Sequence, residues 1–123
     1  MLTTTSGIHK ISAKLSETDL EIIRTYIQGA VDGFCNNNPN QRFSVRILFG
    51  GENGIWSYRP LDKIFTYHAS NGSPDPQKQS AIDVGWLLKD VLERDVKWKY
   101  EMVKEYGNEY RRISNSTPSS ENQ

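Results

Sequence analysis

Cysteine and histidine are scarce in this chain of 123 residues. Cys35 is the only cysteine, so no disulfide can form within the chain, and we expect a protein of the reducing cytoplasm. The two histidines, His9 and His68, stand far from Cys35 in the sequence, and none of the usual zinc-ligand spacings is present. We therefore expect no bound metal and no other cofactor.

Long apolar runs and targeting signals are absent too. No stretch approaches the roughly 20 apolar residues that cross a bilayer. The N-terminal segment MLTTTSGIHK has no apolar core of the signal-peptide kind. These absences predict a soluble cytoplasmic protein that does not bind a membrane.

Neither sign of charge is in excess. The chain has 15 basic and 15 acidic residues, which gives a formal net charge of zero. A dedicated nucleic-acid-binding protein normally carries a basic excess that neutralises phosphates. The composition therefore favours a protein or ribonucleoprotein complex as the partner over direct binding of nucleic acid.

The N-terminal third combines two periodicities. Ile11, Ala13 and Leu15 alternate with polar residues, which predicts a half-buried strand over residues 8–15. Ser16 is typical of a helix N-cap, and apolar residues then recur at steps of three and four. This spacing predicts an amphipathic helix over residues 17–34.

Residues 42–61 form the densest block of aromatics, arginines and turn residues in the chain. Alternation over residues 43–49 predicts a strand. The segment Gly50-Gly51-Glu52-Asn53-Gly54 has turn chemistry, and residues 55–58 can return as the second strand of a hairpin. Pro60 suits the first turn of a short helix that carries Leu61, Ile64, Phe65 and His68 on one face.

The last third is predicted to be helical, as one long helix or as two helices with a bend near Asp95. Trp98, Met102, Tyr106 and Tyr110 follow at steps of four and form a stripe. Packing in the core and contact with a second copy or a partner are equally consistent with this stripe, since Trp, Tyr and Met are enriched at interfaces.

Together these elements predict a single α+β domain over residues 1–113. In it, a small antiparallel sheet of about three strands packs against the N-terminal helix, and a short helix and a long C-terminal helix complete the fold. Residues 114–123 are polar and of low complexity, so we expect them to be disordered.

The sequence contains no recognisable catalytic motif. His68 is the better candidate for a general base, but Asp62, six residues earlier, stands at a poor helical angle to orient it. A buried or capping histidine and a buried Cys35 thiol are the commoner outcomes. We expect a protein that is not an enzyme, and the alternative is a dispersed site around His68 and Asp62.

A contact surface is the function that the remaining residues favour. Arginine together with aromatic side chains makes interface hot spots. The predicted partner-binding residues are Arg46, Glu52, Asn53, Trp56, Tyr58 and Arg59. Acidic residues of the last helix could add contact with a basic protein or imitate part of a nucleic acid: Asp83, Asp90, Glu93 and Asp95.

The alternative function is a small nucleic-acid-binding accessory protein. Trp56 and Tyr58 could stack bases on the surface of a sheet, with basic residues nearby: Arg42, Arg46 and Arg59. Against this stands the alternation of residues 43–49, which places Phe43 on the core side and leaves only those two aromatics for stacking.

The segments FSVRILFGGENGIWSYRPL and GWLLKDVLE resemble small accessory proteins carried by bacterial phages and conjugative elements. The resemblance covers residues 34–92 and rests on Phe43, Val45, Arg46, Leu48, Phe49, Gly50, Gly51, Glu52, Asn53, Trp56, Pro60, Leu61, Gly85, Trp86, Leu87, Leu88 and Lys89. Some proteins of that sort inhibit host defence, including anti-CRISPR proteins. The resemblance therefore implies a binding protein whose surface is its function.

Overall fold

The structure is a computed structural model that describes residues 1–3, 10–50, 60–105 and 107–115. Within these ranges the chain forms four helices and one two-stranded antiparallel sheet, so the α+β class is confirmed. In chain order the elements are α1 (Glu17–Asn37), α2 (Val45–Phe49), α3 (Asp62–Ser70), α4 (Pro76–Arg94), β1 (Trp98–Glu105) and β2 (Gly107–Asn115).

Helix α1 forms where the sequence predicted it. The Ser16 hydroxyl accepts a hydrogen bond from the Asp19 backbone N–H at 3.1 Å, which satisfies one of the free donors of the first turn. The helix runs to Asn37, three residues beyond the predicted end. Residues four apart along it share one face and are buried: Ile23, Ile27, Val31 and Cys35.

The strand predicted over residues 8–15 is wrong for its described part. Residues 10–15 form an irregular segment, and residues 4–9 lie outside the described ranges. The backbone N–H groups of Ser12 and Ala13 donate to the Asp83 carboxylate at 3.0 and 3.1 Å rather than to a neighbouring strand. Ala13 is buried as the alternation indicated, but a side chain of α4 satisfies the backbone.

The strand predicted over residues 43–49 is also wrong, because it is mostly helix α2. The Ser44 hydroxyl accepts a hydrogen bond from the Ile47 N–H at 3.2 Å and caps the helix start. Gly50 ends it in the left-handed region, with φ of 95°, and donates its N–H to the Arg46 carbonyl. These local caps override a period-two pattern. The predicted return strand, residues 55–58, lies outside the described ranges.

Helices α3 and α4 confirm the predicted short helix after Pro60 and the predicted helix before Asp95. Helix α3 starts two residues after Pro60 and buries Ile64 and His68. Helix α4 has Pro76 in its first turn and is capped by the Asp75 side chain, which accepts from the Lys78 N–H at 3.1 Å. It presents a buried apolar stripe: Val84, Leu87, Leu88, Val91 and Leu92.

The helix predicted beyond Asp95 is wrong, because residues 98–115 form an antiparallel hairpin. The Asp95 side chain accepts the N–H groups of Lys97 and Trp98 at 2.8 and 3.0 Å and turns the chain out of α4. Strand β2 continues to Asn115, two residues past the predicted domain boundary, and residues 116–123 lie outside the described ranges. The described sheet has two strands rather than about three.

Phe43 joins the hairpin to the helices. Its backbone exchanges two hydrogen bonds of 2.8 Å with Tyr110 in an isolated antiparallel bridge. Its fully buried ring lies 6.1 Å from that of Tyr100 and 6.0 Å from that of Tyr110, centroid to centroid. Tyr100 and Tyr110 therefore belong to one core shared by the hairpin, α1, α3 and α4.

Candidate functional site

Of the predicted partner-binding residues, Arg46 is the one that falls within the described part of the chain. It is exposed on α2. The positions of Glu52, Asn53, Trp56, Tyr58 and Arg59 lie outside the described ranges. No ion pair of Arg46 is found among the described residues.

Arg46 borders a cleft of about 430 Å³ between α2, α4 and the hairpin. The Ser44 cap and the Phe43–Tyr110 bridge hold α2 at this place. Gly85 of α4 lines the cleft without a side chain, and a Cβ placed there would meet no atom within 4 Å. The cleft is completed by Val45, Leu88, Asn108 and Glu109.

Large apolar side chains are exposed beside α2. Ile22 and Tyr26 are one helical turn apart on α1, and Tyr26 stacks on Phe49 with ring centroids 5.9 Å apart. Ile22 and Ile47 each keep 49% of their surface accessible. We call Ile22, Tyr26, Ile47 and Phe49 the α1/α2 surface.

His68 is bonded to Asp83 of α4 rather than to Asp62. The distance from His68 Nε2 to Asp83 Oδ2 is 2.7 Å, and both side chains are buried. Asp83 also accepts from the Ser12 hydroxyl at 3.0 Å and from two backbone N–H groups. Ser12 in turn accepts from the Gln79 amide at 2.9 Å.

This arrangement differs from that of a serine nucleophile activated by histidine. There the histidine must lie between the hydroxyl and the carboxylate so that it can take the hydroxyl proton. Here the Asp83 carboxylate lies between Ser12 and His68, and accepts hydrogen bonds from several groups at once. The hydrogen bonds of Ser12, His68 and Asp83 hold residues 10–15 against α3 and α4.

The stripe predicted as a helical dimer face is divided by the hairpin. Tyr110 is buried in the core, at 1% exposure, and cannot meet a second copy. Trp98 is half-buried beneath Arg112, whose guanidinium carbon lies 4.3 Å from its ring centroid. Met102 is half-buried, and Tyr106 lies outside the described ranges.

The predicted acidic surface is likewise divided among internal contacts. Asp83 is buried, and Asp90 accepts from Arg24 at 3.1 Å and from Arg94 at 3.0 Å. Asp95 accepts the Tyr100 hydroxyl at 2.6 Å and the Gln28 amide at 3.2 Å. These carboxylates stabilise the fold, so they do not form a free acidic patch.

Comparison with known proteins gives no match. No protein-family model fits the sequence, and no curated protein or solved structure matches it. Within the described ranges, no group of three or more His, Cys, Asp or Glu side chains is placed to hold a metal ion. The helices of those ranges are too short or too polar to cross a bilayer.

The tertiary contacts of two residues, Asp83 and Arg112, were not predicted from the sequence. Asp83 contacts Ser12, 71 positions away, and Arg112 contacts Asp32, 80 positions away, and single-chain periodicity carries no information at that separation. A signal for the hairpin was present in the β-forming residues around Tyr100, Val103 and Tyr110. The four-residue spacing of the aromatic stripe concealed it, since residues four apart share a face in a strand as well as in a helix.

Proposed function

We propose that the protein is a non-enzymatic protein-interaction module, with its contact surface on the exposed sides of α1 and α2. The observation that carries this proposal is the exposure of Ile22 and Ile47, each accessible over 49% of its surface. Single exposed aliphatics are ordinary. Here Ile22 lies one helical turn from Tyr26, which stacks on Phe49 of α2, and exposed apolar surface of this kind is typical of a protein interface.

Arg46 adds a polar anchor to this surface. Arginine and tyrosine are enriched at interface hot spots because they combine large contact area with directed hydrogen bonds. The charge of Arg46 has no ion-pair partner in the described part of the chain. The remaining predicted contact residues follow α2 closely in the sequence: Glu52, Asn53, Trp56, Tyr58 and Arg59.

The state of His68 supports a function without catalysis. Its Nε2 atom is bonded to the buried Asp83 carboxylate, and 5% of the residue is exposed. A general base must reach the proton that it removes from a substrate. This histidine faces the interior instead.

The sequence resemblance to mobile-element proteins supports a host-defence complex of the CRISPR type as the target. In a bacterial strain with an active CRISPR system and a matching phage, expression of the protein should restore plaque formation. Plaque counts that stay at the level of the empty vector would refute this choice of target. Such plaque counts would not test the α1/α2 surface, which the capture experiment tests separately.

The capture experiment uses the purified chain as bait in a lysate of its bacterial host. The captured partner is identified, purified and titrated against the wild type and the double variant Ile22→Asp with Ile47→Asp. Charges at two contact positions should weaken binding by roughly tenfold or more. Arg46→Glu should weaken it as well, mainly through the association rate.

Ile82→Asp is the matched control. Ile82 is exposed to a similar extent, 44%, but it lies on α4. It should bind the partner like the wild type. If the double variant also binds normally, the α1/α2 surface is not the contact site. A gel-shift series with oligonucleotides at low salt tests the alternative function. Binding of an oligonucleotide there would favour nucleic acid over protein as the partner.

A further inference from the structure

A second surface of different chemistry lies on the side of the molecule where residues 10–15 meet α1 and α4. It is a groove of about 790 Å³. One wall is the irregular segment that begins at Lys10, the second is the first half of α1, and the third is α4 from Trp86 to Arg94. None of the residues of the α1/α2 surface lines it.

The groove has a fixed frame. Asp83 fastens the irregular segment through hydrogen bonds from Ser12 and Ala13 of 3.0 to 3.1 Å. Asp90 joins the two helices, since it accepts from Arg24 of α1 and from Arg94 of α4. A preformed groove avoids the entropy cost of ordering its walls when a ligand binds.

Part of the lining of the groove is apolar. Ile11, Leu15 and Leu20 are half-buried and pack on the core from its edge, and Leu87 is buried below them. Trp86 is also half-buried, with the Lys89 ammonium 5.3 Å from its ring centroid. A concave surface of aliphatic side chains with one indole suits apolar side chains of an extended or helical peptide.

The charges around the groove are unequal. Asp90 is neutralised by two arginines, and Arg24 also contacts Glu21 at 3.1 Å and Glu17 at 3.8 Å. Lys10 and Lys14 are both exposed, and neither has an ion-pair partner within the described ranges. The rim nearest the irregular segment therefore keeps a positive charge.

We propose that this groove binds an acidic peptide segment of a partner protein, with the partner's apolar side chains on Trp86 and its carboxylates on Lys10 and Lys14. The two lysines determine the sign of the partner, and the apolar lining determines its amphipathic character. A nucleic-acid strand fits less well, because its charged backbone lacks the aliphatic side chains that Ile11, Leu15 and Leu20 would contact. This site is separate from the α1/α2 surface and adds a second contact.

The test uses fluorescence anisotropy with a labelled synthetic peptide in which glutamate alternates with leucine. The same peptide with lysine in place of glutamate and an oligodeoxythymidylate are the comparison probes. The acidic peptide should bind, with an affinity that falls as salt rises, and the lysine peptide should not. The double variant Lys10→Glu with Lys14→Glu should bind the acidic peptide roughly tenfold or more weakly.

Lys78→Glu is the matched control, because Lys78 is an exposed lysine of α4 outside the groove. It should bind like the wild type, as should Lys10→Arg with Lys14→Arg. Trp86→Phe, which keeps an aromatic ring, should remove the change in tryptophan fluorescence on binding that the wild type shows. Binding of the oligodeoxythymidylate in preference to the peptide, or equal binding by the charge-reversed variant, would overturn the proposal. Normal peptide binding by the Ile22→Asp, Ile47→Asp variant would separate the two surfaces.

Discussion

Arg112 of β2 lies over the indole ring of Trp98 of β1, with its guanidinium carbon 4.3 Å from the ring centroid. The same guanidinium donates to the Tyr100 hydroxyl at 2.9 Å and to the Asp32 carboxylate of α1. The Arg112 side chain is 10% exposed, whereas that of Asp32 is 44% exposed, so the ion pair with Asp32 is partly open to water. One residue thus joins both strands of the hairpin to the N-terminal helix.

Arg112→Ala should destabilise the protein by about 2–3 kcal/mol, because it removes charged hydrogen bonds and the cation–π contact with Trp98. Arg112→Lys should recover part of the lost stability, because a lysine keeps the positive charge but lacks the planar guanidinium that donates several hydrogen bonds at once. Urea unfolding followed by tryptophan fluorescence measures the free energy. Arg94→Ala is the control: its side chain is 59% exposed and its ion pair should contribute less than about 1 kcal/mol. Equal stability of the two alanine variants would contradict the assignment.

Asp83→Ala should destabilise the protein by about 3–5 kcal/mol, because His68 and the N–H groups of Ser12 and Ala13 lose their shared acceptor. Ser12→Ala removes one hydroxyl at an exposed position and should cost about 1 kcal/mol. Thermal unfolding of the two variants gives the comparison. In hydrogen exchange, Asp83→Ala should also lose protection at Ser12 and Ala13. If Asp83→Ala unfolds like the wild type, the carboxylate does not fasten residues 10–15.

Asp95 should make the protein sensitive to acid. Burial opposes the ionisation of this carboxyl, but hydrogen bonds from the Tyr100 hydroxyl and from the N–H groups of Lys97 and Trp98 outweigh it and lower the pKa of Asp95 below 3.8. A carboxyl whose pKa is depressed in the folded state stabilises the protein above its ordinary pKa. That stabilisation is lost as pH falls through the folded value.

The measurement is the free energy of unfolding of the wild type and of Asp95→Asn at about pH 7 and at about pH 3. The wild type should be the more stable protein at neutral pH, and its advantage should shrink in acid. A difference between the two proteins that stays constant with pH would show that Asp95 does not contribute through its ionisation.

Tyr110 should make the protein sensitive to alkali. Burial raises the pKa of Tyr110 to about 12, compared with the ordinary value of 10.0. Because the folded state holds the proton more tightly, the stabilisation is complete below pH 10 and is lost as pH rises toward 12. Burial also raises the pKa of Tyr100.

Tyr110→Phe should therefore lose less stability than the wild type between about pH 10 and about pH 12. Tyrosinate absorbance should show one fewer tyrosine that ionises together with unfolding. Tyr26, which is 36% exposed and stacked on Phe49, gives the control in Tyr26→Phe. That control should leave the alkaline transition unchanged, and an equal response of both variants would contradict the role of Tyr110.

The helices could be predicted from sequence wherever caps and periodicity agreed. Ser16 before a four-residue apolar repeat predicted α1, and Pro60, expected in the first turn of the short helix, stands two residues before α3. Helix α2 was missed because five residues of alternating character fit a strand as well as a single capped turn. In that case the Ser44 cap and the terminal Gly50 were the better signals.

The hairpin and the buried cluster illustrate why the rest could not be predicted. The aromatic stripe from Trp98 was compatible with the period of a helix and with that of a strand. The side chain of Asp95 ends α4 by accepting backbone hydrogen bonds, and a pattern of apolar residues carries no information about such bonds. His68 was expected to be partly buried or to cap a helix, and it is buried. Its partner Asp83 is fifteen residues away on another helix, which only the tertiary fold brings near.

The register of the hairpin provides a further prediction. Glu101 and Arg111 are directly opposite in the sheet, and Arg111 Nε donates to Glu101 Oε2 at 2.7 Å. Opposite charges at such positions contribute roughly 0.2–1 kcal/mol, and like charges there are destabilising. Both side chains are about a third exposed, so salt should weaken the pair.

A double-mutant cycle with Glu101→Lys and Arg111→Glu tests this pairing. Each single reversal places like charges opposite each other and should lower the free energy of unfolding, whereas the double reversal restores an ion pair and should recover most of the loss. The coupling should fall at high salt. On a continuous helix these residues would lie almost three turns apart, about 15 Å along the axis, and would not interact. A coupling energy of zero at low salt would therefore refute the hairpin register, and a positive one would exclude the helix that the aromatic spacing predicted.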